Sequence, residues 1–376
     1  MDIVINGRLL NERKGGPYRC LVNTLEQLAK IDNRNSYYIL LNGKNNTPYE
    51  FFQKPNFIKQ VVPIKNKLLF DYVVLPLYSF THKRDIYYFP KTTFAPYIKG
   101  DKVSLFHDII YFEDFNFREF KFFDNLHHKL MIPLCQRFAA ACVSVSDFTA
   151  QRMQALLKIK RERITVIKNA AEDNFRILPD ENFKRQTADK YNLHKPFLFF
   201  AGSISPRKNM LNVIKAFESI KETIPHNLYF TAGESWQDGD VYRYIEEKSL
   251  QERVIRLGFL SQEELVAVYN LAACYLYVSL YEGFGLPILE AQACGCPVIT
   301  STAASCPEVA GESALLADPN NTAQIADAIR QVVSNNALRS RLIQKGFANI
   351  KKFSWKKNAE EHLALFEKIY AAANHK

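Results

Sequence analysis

Residues 281–297 read Tyr-Glu-Gly-Phe-Gly-Leu-Pro-Ile-Leu-Glu-Ala-Gln-Ala-Cys-Gly-Cys-Pro. Two carboxylates, Glu282 and Glu290, stand eight positions apart, with Gly283 and Gly285 between them. Glycine has no Cβ, so a loop built from it lets a ligand approach the backbone closely. Pro287 suits the start of a helix, where its missing N–H would have no partner anyway. Leu286, Leu289 and Ala293 then recur at helical spacing up to a stop at Gly295. A glycine loop entering a short helix presents free N–H groups and the positive end of the helix dipole, which suits an anion. The carboxylates before and after the loop, the second expected in the first helical turn, are placed to grip hydroxyls on either side of that anion.

A second stretch complements the first. Ala201-Gly-Ser-Ile-Ser-Pro-Arg-Lys-Asn209 leaves an apolar run and enters a helical pattern. Arg207 and Lys208 are expected where that helix begins, a position at which the dipole disfavours cations. An anion between them removes the conflict. The planar fork of Arg and the compact charge of Lys make a good pair for a diphosphate.

These residues need a scaffold. Short β-branched or aromatic runs fall near 2–5, 37–41, 57–62, 86–89, 103–106, 142–145 and 164–167. More follow near 197–201, 228–232, 254–257, 274–278, 297–300 and 314–316, with helical segments between. Such alternation predicts two parallel sheets with crossover helices. A chain of 376 residues also exceeds the size at which one core keeps growing. The polar stretch 180–196 predicts the boundary: a first domain over 1–190, a second over 191–355 and a terminal helix over 356–376. Leu211, Ile214, Phe217 and Ile220 trace an apolar helical face after Pro206. Ser261 and Glu264 have the spacing of a capping box.

Composition narrows the classes. The chain is 47% apolar and 23% charged, ordinary globular values. No apolar run approaches the roughly eighteen residues of a spanning helix, and the N-terminus has no signal-like apolar segment. Seven cysteines in no metal-like spacing are expected as reduced thiols of a cytoplasmic protein, Cys294 and Cys296 as small packing residues. Residues 1–195 carry 31 Lys+Arg against 20 Asp+Glu, a net of +11, whereas 196–376 carry 18 against 19, a net of −1. A basic half fits nucleic acid, an anionic membrane or a phosphorylated acceptor. Within it, 111–123 reads YFEDFNFREFKFF, seven aromatics in thirteen residues, suiting either a buried helix or a segment dipping into lipid headgroups.

The block EGFGLPILEA, with Glu282 and Glu290 at its ends of function, resembles the signature of the retaining glycosyltransferases of family 4. Residues 201–209 and Pro307-Glu-Val-Ala-Gly311 fit the same family, and the likeness extends over nearly the whole chain. The resemblance implies the GT-B fold: two Rossmann-like parallel-sheet domains facing an interdomain cleft. It implies that Arg207 and Lys208 hold the donor pyrophosphate, that Glu290 holds the ribose and that Glu282 holds the transferred sugar. The loop residues Phe284, Gly285 and Leu286 would line the donor. Phe259 and Leu260, in Val254-Ile-Arg-Leu-Gly-Phe-Leu260, would lie beside the base. His107, in a His-Asp pair with Asp108 after a strand, would face the sugar or the reacting centre. Gly16, after Gly15, would approach the donor phosphates. Two departures stand out: Ser203 where relatives often have Arg, and Asn169-Ala-Ala171 where many have Asn-Gly.

The expected activity is metal-independent, retaining transfer of a hexose from a nucleotide-sugar to a growing glycan or lipid-linked acceptor in surface polysaccharide or lipopolysaccharide synthesis. No cofactor is expected. GDP-mannose is the first expectation for the donor, then dTDP-rhamnose or a UDP-hexose. Glu282 has no clear partner for a double displacement, which favours attack on the face that the leaving group departs from. A nucleotide-sugar epimerase or hydrolase would need acid and base groups, for which only His107 offers itself. A nucleic-acid-binding protein would leave the glycine loop without a purpose. Peripheral attachment to the inner face of the cytoplasmic membrane is the expected location.

Overall fold

All thirteen apolar runs form strands in the computed structural model, which describes residues 1–13, 15–43, 47–114, 122–231 and 239–374. Most of the aromatic stretch 111–123 lies outside the described residues. The first sheet contains β1 (Asp2–Asn6), β2 (Ser36–Asn42), β3 (Phe57–Val62), β4 (Ile86–Phe89), β5 (Asp101–Phe106), β6 (Ala141–Ser144) and β7 (Ile164–Val166). Its order is β3-β2-β1-β4-β5-β6-β7, parallel throughout. The second contains β8 (Phe197–Phe200), β9 (Asn227–Phe230), β10 (Val254–Arg256), β11 (Cys274–Tyr277), β12 (Val298–Ser301) and β13 (Ala314–Ala317). Its order is β10-β9-β8-β11-β12-β13, also parallel.

Parallel strands covered by helices on both faces read as unbroken apolar runs, and β8 and β11 are buried at every position. In each sheet the order reverses once, between β1 and β4 in the first and between β8 and β11 in the second. Crossovers leave in opposite directions there, so the carboxyl ends of those strands open onto a crevice suited to a ligand.

The chain passes from the first compact unit to the second at Asn169–Ala170, and the stretch from Ser354 onward belongs to the first. This change falls before the polar stretch 180–196. The helix Glu181–Tyr191 packs on the helix Gln262–Leu271 of the second unit, with Lys190 2.5 Å from Glu264. Its surface-facing composition therefore marks an exposed helix, with no linker there. The capping box forms: Ser261 Oγ accepts from Glu264 N at 3.2 Å, and Glu264 Oε2 accepts from Ser261 N at 2.8 Å. The expected apolar face after Pro206 forms: Ile214, Phe217 and Ile220 are buried and half-buried Leu211 packs against the same core, which Met210 and Val213 of the helix Met210–Glu218 also join. All seven cysteines are reduced and buried.

Within the first unit, the terminal helix Trp355–Asn374 lies against the helix Gly15–Ile31. Polar groups in that packing are matched. Thr24 Oγ1 donates to Asn358 Oδ1 at 2.8 Å, and Asn358 Nδ2 donates to the Lys168 carbonyl at 3.0 Å. His362 Nδ1 donates to the Asn358 carbonyl at 2.8 Å, which leaves Nε2 to accept from Tyr88 Oη at 3.1 Å. Burial lowers the pKa of His362 to about 4, in keeping with that neutral ring. Asn358→Ala strands Thr24 and the Lys168 carbonyl, so urea unfolding should show a loss of roughly 1–3 kcal/mol. A change within a few tenths would contradict this role.

Candidate donor-phosphate site

The crevice at β8 and β11 gathers the residues singled out by their chemistry. After β8 the chain enters a 3-10 turn, Pro206–Lys208, and the long helix starts only at Met210. The expectation that Arg207 and Lys208 begin a helix is thus corrected: Asn209 takes a left-handed conformation, φ 63°, and separates the turn from the helix. Its side chain donates to the carbonyls of Val278, at 3.0 Å, and Pro319, at 2.7 Å, which fixes the turn against the end of β11. The turn delivers both cations to one buried carboxylate. Arg207 Nη1 is 2.8 Å from Glu282 Oε2, and Lys208 Nζ is 2.7 Å from Glu282 Oε1. Arg207 also donates to the Tyr281 carbonyl at 2.9 Å, and Lys208 to Tyr277 Oη at 2.9 Å.

Burial by itself would raise the Glu282 carboxyl, but Arg207 and then Lys208 outweigh it and hold the pKa at about 2. For Lys208, burial prevails over the attraction of Glu282 and lowers the pKa. Glu282 is thus gripped by both cations at once, its side chain 10% exposed against 12% for Lys208 and 23% for Arg207. Two cations converging at the strand ends are the physical basis for an anion site, more specific than a pair of cations beside a helix.

The glycine loop is braced from beyond β12. Ser305 Oγ donates to the carbonyls of Glu282, at 2.9 Å, and Phe284, at 2.7 Å. Gly285, with φ 111°, caps the helix Leu286–Ala293. A Cβ there would meet Ile288 at 3.2 Å in a backbone conformation that side chains rarely adopt. Phe284 is buried, its ring 5.9 Å from that of Phe353, and Leu286 is buried as well. Whatever these two offer a ligand comes from their backbone.

Glu290 lies one turn further into the helix than expected, at its fifth residue, and is 2% exposed. It lines a cavity of about 300 Å³ together with Gly202, Thr231, Phe259, Leu260 and Pro287. Gly258 turns the chain there with φ 76°. It leaves Phe259 92% exposed while Leu260 is buried, so the aromatic ring forms an outer wall of the cavity. Pro287, on the same helix as the glycine cap, separates this cavity from the Glu282 cluster by only a few residues of chain.

His107 and Gly16 belong to the first unit. His107 Nε2 bonds the Pro90 carbonyl at 2.9 Å, which requires Nε2 to carry the hydrogen. Burial, aided by the nearby Lys91 charge, lowers its pKa to about 4, so the ring is neutral with Nδ1 as acceptor. Asp108 Oδ1 accepts from Ile110 N at 3.2 Å and shapes the turn. Gly16 lies in the first turn of the helix Gly15–Ile31.

Several contributors escaped the sequence reading. Tyr277 lies within an expected strand, and neither Asn209 nor Ser305 was assigned a role. An ion cluster at the first sheet's reversal was missed altogether. Arg8, just past β1, contacts Asp71 at 3.0 Å and Glu12 at 3.1 Å, and Lys91, just past β4, is 3.0 Å from Glu12. Their position directly after strand ends was the available signal. The expectation of a metal-free site also passed over one Asp-x-Asp triplet, Asp238-Gly-Asp240. Asp238 lies outside the described residues, and Asp240 pairs with Arg243 at 2.5 Å on an exposed helix turn.

Glu282→Ala would remove the carboxylate that holds Arg207 and the largely buried Lys208 together, which should cost roughly 3–5 kcal/mol of stability at neutral pH. The carboxyl's folded pKa lies below its ordinary 4.5, so its stabilisation is present above 4.5 and is lost as pH falls through about 2. The gap between wild type and variant in denaturant melts should therefore close on acidification. A gap that is absent at neutral pH would contradict the buried cluster.

Comparison with known proteins agrees with this geometry. Residues 182–349 match the family described as Glycosyl transferases group 1. O-antigen chain mannosyltransferase B of Escherichia coli is 28% identical over 221 residues, 58% of this chain and 58% of the relative. The serotype-specific mannosyltransferase WbdA of Escherichia coli is 30% identical over 277 residues, 70% of this chain and 32% of the relative. The chain thus aligns with less than two thirds of the length of either. Among solved structures, HepE of Anabaena in complex with UDP and glucose has a TM-score of 0.77 at 18% identity, covering 97% of this chain and 99% of that one. Sucrose-phosphate synthase of Thermosynechococcus elongatus has 0.77 at 17%, covering 99% and 100%. At such identities the likeness establishes the fold, two parallel-sheet α/β domains of the GT-B type. Residues 182–349, most of the second unit with its cation–carboxylate cluster and glycine loop, are therefore similar in sequence to glycosyl transferases group 1.

Proposed function

We propose that the protein transfers a hexose from a nucleoside-diphosphate sugar to a glycan or lipid-linked acceptor, with retention of configuration and without a metal ion. The observation that carries this reading is the convergence of Arg207 and Lys208 on Glu282, in the same unit as the cavity lined by Glu290. The diphosphate would take the two cations and the N–H groups of the loop at 283–286. The ribose would bond Glu290, and the base would lie between Phe259 and Leu260. As the sugar–phosphate bond breaks, charge grows on the leaving diphosphate, and fixed cations lower the barrier to its departure. Such electrostatics replace the role a divalent ion would otherwise fill. Glu282, held ionised and clamped by both cations, suits hydrogen bonding to sugar hydroxyls better than nucleophilic attack. Attack by the acceptor hydroxyl on the face of departure, guided by the leaving phosphate, follows. His107 is proposed as a neutral hydrogen-bonding group towards the sugar, since its ring does not hold a proton to give near neutral pH.

A mannosyl donor, GDP-mannose, is the favoured choice, because two similar proteins are described as an O-antigen chain mannosyltransferase and a serotype-specific mannosyltransferase; dTDP-rhamnose and UDP-hexoses come next. The proposed setting is surface polysaccharide synthesis at the cytoplasmic face of an anionic membrane, with no nucleic acid as partner. Among the described residues no helix is long and apolar enough to cross that membrane. Calorimetry tests the donor half directly. Glu290→Ala should weaken nucleoside-diphosphate binding by roughly 1–3 kcal/mol, the cost of leaving buried polar partners unmatched. Unchanged affinity would overturn the assignment.

A further inference from the structure

The first unit exposes many large apolar side chains, and they are ordered. Along the helix Phe122–Phe138, Leu126, Leu130, Leu134 and Phe138 follow one another at four-residue steps and are all exposed, Leu130 to 63%. Phe122 and Phe123 open the row, Phe123 at 80% exposure. Four-residue steps keep side chains on neighbouring turns of one side of a helix. The other side is satisfied: Ile132, Cys135 and Gln136 are buried. A second row, Leu69, Val73, Leu77 and Phe80, is exposed along the helical segment 67–81. The two elements meet where Tyr72 Oη lies 2.9 Å from His127 Nε2. The two rows therefore lie on elements that touch. Singly exposed apolar residues are normal on a surface, but two ordered rows on touching elements are not.

Charge decides what covers them. The only carboxylates on these two elements are Asp71, which is buried, and Asp124 at the start of the helix Phe122–Phe138. Exposed Lys129 and Arg137 stand on the same elements, with exposed Lys83 and Lys99 beside the segment 67–81, while Lys67 is taken up by Glu12 at 3.0 Å. Lys99 lies 4.5 Å from the ring of exposed Phe80. A second copy of the chain seated here would set these cations against their own kind. An anionic lipid surface complements them and also accepts the apolar rows.

We infer that this double apolar row, rimmed by Lys and Arg, is a face that docks on anionic lipid bilayers. The face lies mostly beyond the aromatic stretch 111–123, with Phe122 and Phe123 shared. The inference gives a location to the membrane setting of the proposed function, yet it stands on exposure and charge and needs no particular donor or acceptor.

Sedimentation of the full chain with vesicles tests it. Wild type should sediment with phosphatidylcholine vesicles containing phosphatidylglycerol, scarcely with phosphatidylcholine alone, and less as salt rises. Leu130→Asp/Leu134→Asp should abolish sedimentation. Lys129→Glu/Arg137→Glu, which leaves the apolar rows intact, should cut it by roughly tenfold or more, given two reversed charges near the surface. Nucleoside-diphosphate affinity, measured on the same samples, should be unchanged in both variants. Its loss in wild type would count against the donor reading alone. Equal sedimentation with neutral and anionic vesicles would overturn the inference. So would a wild-type dimer that ignores vesicles and is split by Leu130→Asp/Leu134→Asp, because the face would then be a self-contact.

Discussion

One buried carboxylate shared by two cations governs the second unit. Ions removed from water each cost several kcal/mol unless other charges and dipoles replace the hydration they lose. Glu282 receives that replacement from Arg207 and Lys208, and its position at the end of β11 is possible only because a turn after β8 brings both cations across. Asn209 ties that turn to Val278 and Pro319, and Ser305 ties the glycine loop to its place. None of these contacts is local in sequence. Each exists because β8 and β11 are neighbours at the reversal of the sheet, so strand order and site chemistry are a single constraint.

The same constraint explains why an anion fits. Two cations fixed side by side at the strand ends offer a diphosphate charged donors in one place. Such a ligand would enter beside the glycine loop. Fold likeness at 17–18% identity says nothing about which ligand that is. Its identity rests on the local residues, with the cavity lined by Glu290, Phe259 and Leu260 adding room for more than a phosphate.

Much of the architecture was legible because buried parallel strands carry an unambiguous apolar signature, and all thirteen runs became strands among the described residues. The Ser261–Glu264 capping box was equally legible, since both of its partners lie within one helical turn. Long-range wiring was not. Nothing in the sequence distinguishes Tyr277, which accepts from Lys208, from the neighbouring Tyr275, because both alternate within a fully buried strand. The start of the helix at Met210 was misjudged because Pro206 signals a helical turn of either kind, and the left-handed Asn209 that ends the 3-10 turn has no distinctive sequence mark. Glu290 sits a turn deeper than expected because the helix starts at Leu286, so the carboxylate is reached only at the fifth position. The polar stretch 180–196 misled about the boundary for a related reason: an exposed helix and a linker share a composition.

The central claim is that the Arg207–Lys208–Glu282 cluster binds a diphosphate. Titration calorimetry comparing guanosine with guanosine diphosphate on the wild-type chain tests it most directly. The diphosphate should bind at least roughly a hundredfold more tightly, about 2.7 kcal/mol, with the difference shrinking as salt is added. Equal affinity for nucleoside and diphosphate would contradict it.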